Sequence, residues 1–283
     1  IALQHDTGYG PAADAMRIAA GASPRVVTDR IDPLPPARVY GRPTAVNAHS
    51  MAVGDLNGDG RTDFVVGDWG NFQGCTTCRP YFLLQQADGR WAVREDSVLA
   101  SITFNQPMIT SGAGEGFNLL VDLPLADLNG DALMDLVAGW GHGSTHSWVF
   151  FNQGDATFSR SHARALPRPP FGADNSLHMK TWSLDLNSDG ALDLVVLFSR
   201  YVPYYGGYAF QFLINDGSGG SRDETASRLR SIPEHEVAIK RLSWSDNFQF
   251  IDVNNDGRLD LIGANSFPSR VRLWLYLGPS FSQ

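Results

Sequence analysis

Short apolar runs recur along the chain, cut apart by turn-forming residues. Phe64-Val65-Val66, Tyr81-Phe82-Leu83-Leu84 and Leu194-Val195-Val196-Leu197 are typical. Runs of this length, rich in β-branched and aromatic residues and bounded by Gly, Asn and Asp, predict strands. The 29 glycines and 16 prolines supply the punctuation. Residues 1–24, with Ala12 to Ala20, read as coil or a short helix.

One polar segment separates such runs four times: DLNGDGRTD from Asp55, DLNGDALMD from Asp127, DLNSDGALD from Asp185 and DVNNDGRLD from Asp252. Before each copy lies an apolar segment: Met51-Ala52-Val53, Leu123-Pro124-Leu125, Trp182-Ser183-Leu184 or Phe248-Gln249-Phe250-Ile251. After each comes a β-prone run, FVVG, LVAG, LVVL or LIGA, then a variable loop, then a third run, YFLLQ, WVFFN, FQFLIN or RLWLYL. Three copies continue into a tight-turn signal, at Ala87-Asp88-Gly89, Gln153-Gly154-Asp155 and Asn215-Asp216-Gly217. A fourth strand follows, clearest at Arg90 to Arg94. Strand A, acidic loop, strand B, long loop, strand C, turn and strand D, repeated at roughly 60 residues, is the pattern of a β-propeller blade.

The expected fold is therefore all-β, a propeller of four-stranded antiparallel blades at about 45–97, 115–161, 175–226 and 240–278, preceded by an extension over 1–44. The last copy reaches strand C at Val271 to Leu277 with only Gly278 to Gln283 to follow, so its fourth strand is expected to be missing or supplied from elsewhere. Arg25 to Ile31 is the best candidate for a ring-closing strand. Two alternatives stay open. The N-terminal 44 residues form a degenerate fifth blade, or the chain is part of a larger propeller.

The repeated loop has the chemistry of a calcium site. Calcium takes six to eight oxygens, and side chains at positions one, three and five of a tightly curled loop converge on one point. Those positions hold Asp55, Asn57 and Asp59; Asp127, Asn129 and Asp131; Asp185, Asn187 and Asp189; and Asp252, Asn254 and Asp256. Backbone carbonyls at position seven (Arg61, Leu133, Ala191, Arg258) and carboxylates at position nine (Asp63, Asp135, Asp193, Asp260) complete up to four calcium shells. An EF-hand would need Glu at position twelve, where Val66, Ala138, Val196 and Gly263 stand. Position six calls for a positive φ and is Gly60, Gly190 and Gly257 in three copies; Ala132 replaces it in the second and makes that loop the weakest.

DLNGDGRTD followed by FVVG, with FFNQGDATF later in a unit, resembles the FG-GAP/VCBS repeats found in integrin α-chain propellers, sugar-binding propellers and several secreted enzymes. The resemblance covers about residues 45 to 278. It implies a calcium-binding propeller, with the ligands on Asp55, Asn57, Asp59, Asp63 and their equivalents.

Composition narrows the function. A net charge of −8 and pI near 5.3 disfavour nucleic acid. No apolar run is long enough to span a membrane. The chain begins at Ile1, which suggests a processed chain or a fragment. Cys75 and Cys78, in a polar CTTC, lack two further zinc ligands and read first as a small-loop disulfide, with free thiols or a redox pair as alternatives. A secreted, extracellular or periplasmic setting is expected.

Strand order places the acidic loops at one end of every blade and the B–C loops at the other, so the ligand site is expected opposite the calcium loops. That face would carry Trp69, Trp140, Tyr201, Tyr204, Tyr205 and Tyr208 with His142, His146 and Asp246. Aromatic rings beside polar groups suit a glycan, although Trp69 and Trp140 also read as inter-blade packing. His142 and His146 have HxxxH spacing in a glycine-rich loop, where zinc is not expected. His49 and His178 precede strand A in equivalent places, near the central axis. They are candidate acid–base residues, with Tyr204 or Lys180 stabilising developing charge. No nucleophile elbow, P-loop or dinucleotide fingerprint occurs. Three readings follow: a glycan-binding module; a lyase, dehydratase or cyclase using His and Tyr; or an extracellular assembly subunit whose partner is a protein if the ring is open.

Overall fold

The computed structural model describes residues 37–39, 42–44, 48–68, 81–94, 120–140, 147–172, 175–200, 202, 206–229, 247–265, 270–276 and 281–282. Within them the fold is all-β. A small hairpin, β1 (Ala37–Val39) with β2 (Arg42–Thr44), precedes four antiparallel sheets. The first runs β3 (Ala48–Gly54), β4 (Asp63–Asp68), β5 (Tyr81–Gln85) and β6 (Trp91–Arg94). The second comprises β7 (Leu120–Asp122), β8 (Leu125–Ala126), β9 (Asp135–Trp140), β10 (Trp148–Phe150) and β11 (Ala163–Ala165). The third holds β12 (Ser176–Leu184), β13 (Asp193–Arg200), β14 (Tyr208–Asn215) and β15 (Ser221–Asp223). The fourth holds β16 (Asn247–Ile251), β17 (Asp260–Asn265), β18 (Arg270–Tyr276) and β19 (Phe281–Ser282).

Three features depart from the sequence reading. The fourth sheet does have its last strand: Leu275 pairs with Ser282 and Tyr276 with Phe281, so two residues suffice for it. In the second sheet the last strand lies at Ala163–Ala165, past the expected edge at 161, because a 3-10 turn at Arg160–His162 intervenes. Strand A of that sheet is split, since Pro124 has no N–H for the ladder; its carbonyl still accepts from Val137 N–H at 3.0 Å. The proposed ring-closing stretch Arg25 to Ile31, the short helix at Ala12 to Ala20, and Cys75 and Cys78 lie outside the described residues.

Alternate residues of each strand B and strand C face opposite neighbours. Val65, Phe82, Leu84 and Leu56 pack with Leu136, Ala138, Phe150 and Phe158, joining the first and second sheets. Val137, Val149 and Leu128 pack with Leu194, Val196 and Leu213, joining the second and third. Val195, Leu197, Phe210 and Phe212 pack with Phe248 and Leu261, joining the third and fourth. The inner sheets are thus apolar on both faces, which is why β14 is buried along its whole length. Loop position two records the gradient. Leu56 and Leu128 are 0% and 3% exposed, whereas Val253 is 39% exposed.

Candidate functional site

Each acidic loop joins strand A to strand B and is wound by its own side chains. Asp55 Oδ1 accepts from Gly58 N–H at 2.8 Å and Asp59 N–H at 3.1 Å, and Oδ2 accepts from Gly60 N–H at 2.7 Å. The position-six N–H reaches the position-one carboxylate in the other copies too, from Ala132 to Asp127, Gly190 to Asp185 and Gly257 to Asp252. Asn57, Asn129, Asn187 and Asn254 each accept, through Oδ1, the N–H two residues on. Asp59, Asp131, Asp189 and Asp256 likewise accept the position-seven N–H through Oδ1. The side chains at positions one, three and five therefore all turn to the inside of the curl.

Two left-handed residues per loop make this possible. At position six, Gly60, Ala132, Gly190 and Gly257 have φ of 78°, 68°, 88° and 85°. Position four was not foreseen: Gly58, Gly130, Ser188 and Asn255 have φ of 77°, 78°, 62° and 59°. A Cβ at Gly60, Gly190 or Gly257 would meet nothing within 4 Å, so the demand for glycine is conformational. The second loop keeps the common geometry at the cost of strain at Ala132. Ala132→Gly should raise stability by about 0.5–1 kcal/mol, the left-handed penalty less glycine's entropy in the unfolded chain. A urea titration showing no gain, or a loss, would refute this account of loop two.

Position nine opens strand B and is fully buried in every copy, with Asp63, Asp135, Asp193 and Asp260 all 0% exposed. Asp135 Oδ2 accepts Leu128 N–H at 2.9 Å and Oδ1 accepts Asn152 N–H at 2.9 Å. Asp63 and Asp193 repeat this with Leu56 and Gln85, and with Leu186 and Asn215. Burial raises all three carboxyls, that of Asp135 to about 6; the two backbone donors oppose the shift, while Asp131 and Asp127 push Asp135 higher.

The donor set is oxygen-only and carries three carboxylates per loop, which suits a hard cation. Among the described residues no three Asp, Glu, His or Cys side chains converge as a ready-made cage. Instead the carboxylates rest on loop amides. Asp59 is also held by Arg61, whose Nε donates to Gln85 O at 2.9 Å. In the first loop Asp55 Oδ1 already takes two N–H donors, but Asp55 Oδ2, Asn57 Oδ1 and Asp59 Oδ1 take one each, and an oxygen with two acceptor directions then retains one for calcium.

At the opposite end of the sheets the residues are placed differently from expectation. His49 and His178 both lie within strand A rather than before it, and they are one position out of step. The ladder passes from Ala48 to Ser50 and from His178 to Lys180 across a bulge, so His178 corresponds to Ala48, and His49 to Met179. His178 is 1% exposed. Its Nδ1 lies 2.7 Å from Ser147 Oγ and its Nε2 2.6 Å from Thr181 Oγ1, with Asp122 Oδ2 at 3.6 Å. A Cβ on Gly139 would come within 2.5 Å of the ring, so the glycine makes room for it. This histidine is a packed, hydrogen-bonded link between the second and third sheets and not an accessible acid or base. Tyr208, expected in a loop, opens β14 at 1% exposure and packs on Phe248 with ring centroids 5.3 Å apart. Trp140 ends β9. Trp69, His142, His146, Tyr201, Tyr204, Tyr205 and Asp246 lie outside the described residues.

Two residues that the sequence reading passed over tie the loops together. Asn152 Nδ2 donates to Leu56 O at 2.8 Å in the preceding sheet and to Met134 O at 3.1 Å in its own. Asn215 Nδ2 donates to Leu128 O at 2.7 Å and Leu192 O at 3.0 Å. The available signal was an asparagine closing strand C in both WVFFN and FQFLIN.

Comparison with known proteins agrees with this repeat structure. The FG-GAP-like repeat family matches residues 127–196, which span the second and third loops, and the FG-GAP repeat family matches residues 47–71, which hold the first. No curated protein gives a significant match. Among solved structures, the V. cholerae biofilm matrix protein Bap1 is similar at 15% identity and a TM-score of 0.38, over 77% of this chain and 28% of that one. The chain thus spans under a third of that protein's length. By sequence, then, residues 47–71 and 127–196 are similar to FG-GAP repeats.

Proposed function

We propose that the chain is a calcium-stabilised β-propeller module acting outside the cell, which recognises a glycan or similar extracellular ligand at the strand ends opposite its acidic loops. The observation that carries the calcium part is the loop geometry, with oxygen side chains at positions one, three and five turned inward in all four copies. Asp55, Asn57, Asp59 and Asp63, and their equivalents, would hold the ion, with the position-seven carbonyl. Bound calcium would supply positive charge to a carboxylate cluster that is otherwise self-repelling. The FG-GAP repeats support an extracellular, adhesion-type setting.

The burial of His178, with both ring nitrogens hydrogen-bonded, favours binding over acid–base catalysis. A protein partner is the second reading. Ile251 and Leu273 of the fourth sheet, with Val253 and Leu259 of its acidic loop, leave large apolar side chains between 39% and 49% exposed. One experiment with two arms tests the proposal. Chelation by EDTA should lower the melting temperature and added calcium restore it; an unchanged melting curve would remove calcium from the account. On a glycan array the calcium-loaded chain should bind a defined glycan class and lose it on Tyr204→Ala or Trp69→Ala. Silence across the array would remove the glycan.

A further inference from the structure

The position-nine carboxylates of three loops lie on one continuous line of hydrogen bonds. Asp63 Oδ2 accepts Leu56 N–H at 3.0 Å, and the carbonyl of the same residue, Leu56 O, accepts Asn152 Nδ2 at 2.8 Å. Asn152 N–H donates to Asp135 Oδ1, and Asp135 Oδ2 accepts Leu128 N–H, each at 2.9 Å. Leu128 O accepts Asn215 Nδ2 at 2.7 Å, Asn215 N–H donates to Asp193 Oδ1 at 2.8 Å, and Asp193 Oδ2 accepts Leu186 N–H at 2.9 Å. There the asparagine pattern stops. The residue of the fourth sheet that corresponds to Asn215 is Tyr276, which carries no amide, because Leu261 pairs with Trp274 as Leu194 pairs with Leu213. Leu186 O instead accepts Arg228 Nη1 at 3.3 Å from within the third unit, and Arg228 is held by Glu224.

We infer that the first three acidic loops bind calcium cooperatively, coupled through Asn152 and Asn215, while the fourth binds independently. This rests on the calcium reading given above. Placing an ion in one loop fixes its position-nine carboxylate and the position-two residue whose N–H that carboxylate accepts. The asparagine that donates to the carbonyl of the same position-two residue also presents its own N–H to the next position-nine carboxylate. Ordering one loop therefore lowers the ordering needed by its neighbour, which is positive coupling between sites.

Calorimetric titration of the calcium-stripped full chain with calcium alone tests this. The expected isotherm shows a set of about three cooperative sites and one independent site. Asp127→Asn, which impairs the middle loop, should weaken binding at the first and third loops about 5-fold or more, the low end of ordinary coupling. Asp252→Asn should remove one site and leave the cooperative set unchanged. Asn215→Ala should keep the number of sites but abolish the third loop's share of the cooperativity. Should that variant fold poorly, as its circular dichroism would reveal, the Asp127→Asn and Asp252→Asn pair still decides. Four independent sites in the wild type, or equal remote effects of Asp127→Asn and Asp252→Asn, would overturn the coupling while leaving calcium binding intact. No binding heat and no melting shift would instead overturn the calcium reading, and the coupling with it.

Discussion

Phe210→Ala should lower stability by about 3–5 kcal/mol, with a fall of order 10 °C in the melting temperature. Phe210 is 0% exposed and sits where the third sheet meets the fourth. Its ring meets Phe248 edge to face at 4.7 Å between centroids and contacts Trp182, Tyr208 and Phe212 at 6.2–6.4 Å. The four rings around it cannot close over the missing one without giving up their present packing, so the cavity persists and its cost adds to the lost burial. The measurement is the urea midpoint, with the slope as control. An effect below about 1 kcal/mol would mean that this interface repacks freely, contrary to the packing described.

The second large effect is expected at Asp135. Asp135→Ala leaves Leu128 N–H and Asn152 N–H buried without an acceptor, at about 1–3 kcal/mol each, hence about 2–6 kcal/mol together. Asp135→Asn should fall between wild type and Ala, since an amide offers one acceptor oxygen and turns an NH2 toward the other donor. Both should be measured in EDTA, so that the loss cannot be ascribed to a missing ion. If Asp135→Ala were destabilising only when calcium is present, position nine would be a metal ligand and nothing more. The raised carboxyl of Asp135 shows the same tension from the other side, since burial opposes its charge while two peptide donors hold it in place.

Much of this was written plainly in the chain. The four DxNxDxxxD copies located every A–B hairpin, because a turn built from side-chain oxygens leaves its ligands in the local sequence. The short β-branched runs FVVG and LVVL, directly after each acidic loop, located strand B for a similar reason. What escaped was non-local or off-period. His49 stands six residues before Asp55 and His178 seven before Asp185, so His49 is itself the bulged residue of its strand whereas His178 lies just before the bulge and pairs with Phe198. Strand β19 has two residues, too few for any periodicity to show. The reach of Asn152 to Leu56 joins residues 96 positions apart, which no short-range pattern contains. The ligand face is legible only as composition, since aromatic and polar residues in long loops state what could bind and not where.

That 96-residue reach also orders events during synthesis. Each sheet is a meander whose strands pair with their sequence neighbours, so it can form soon after it leaves the ribosome. Its acidic loop, however, lacks the neighbouring asparagine until strand C of the following unit has emerged. The first sheet is complete at Arg94, so its acidic loop waits roughly 60 further residues for Asn152. Each unit is thus completed by a side chain of the one that follows it.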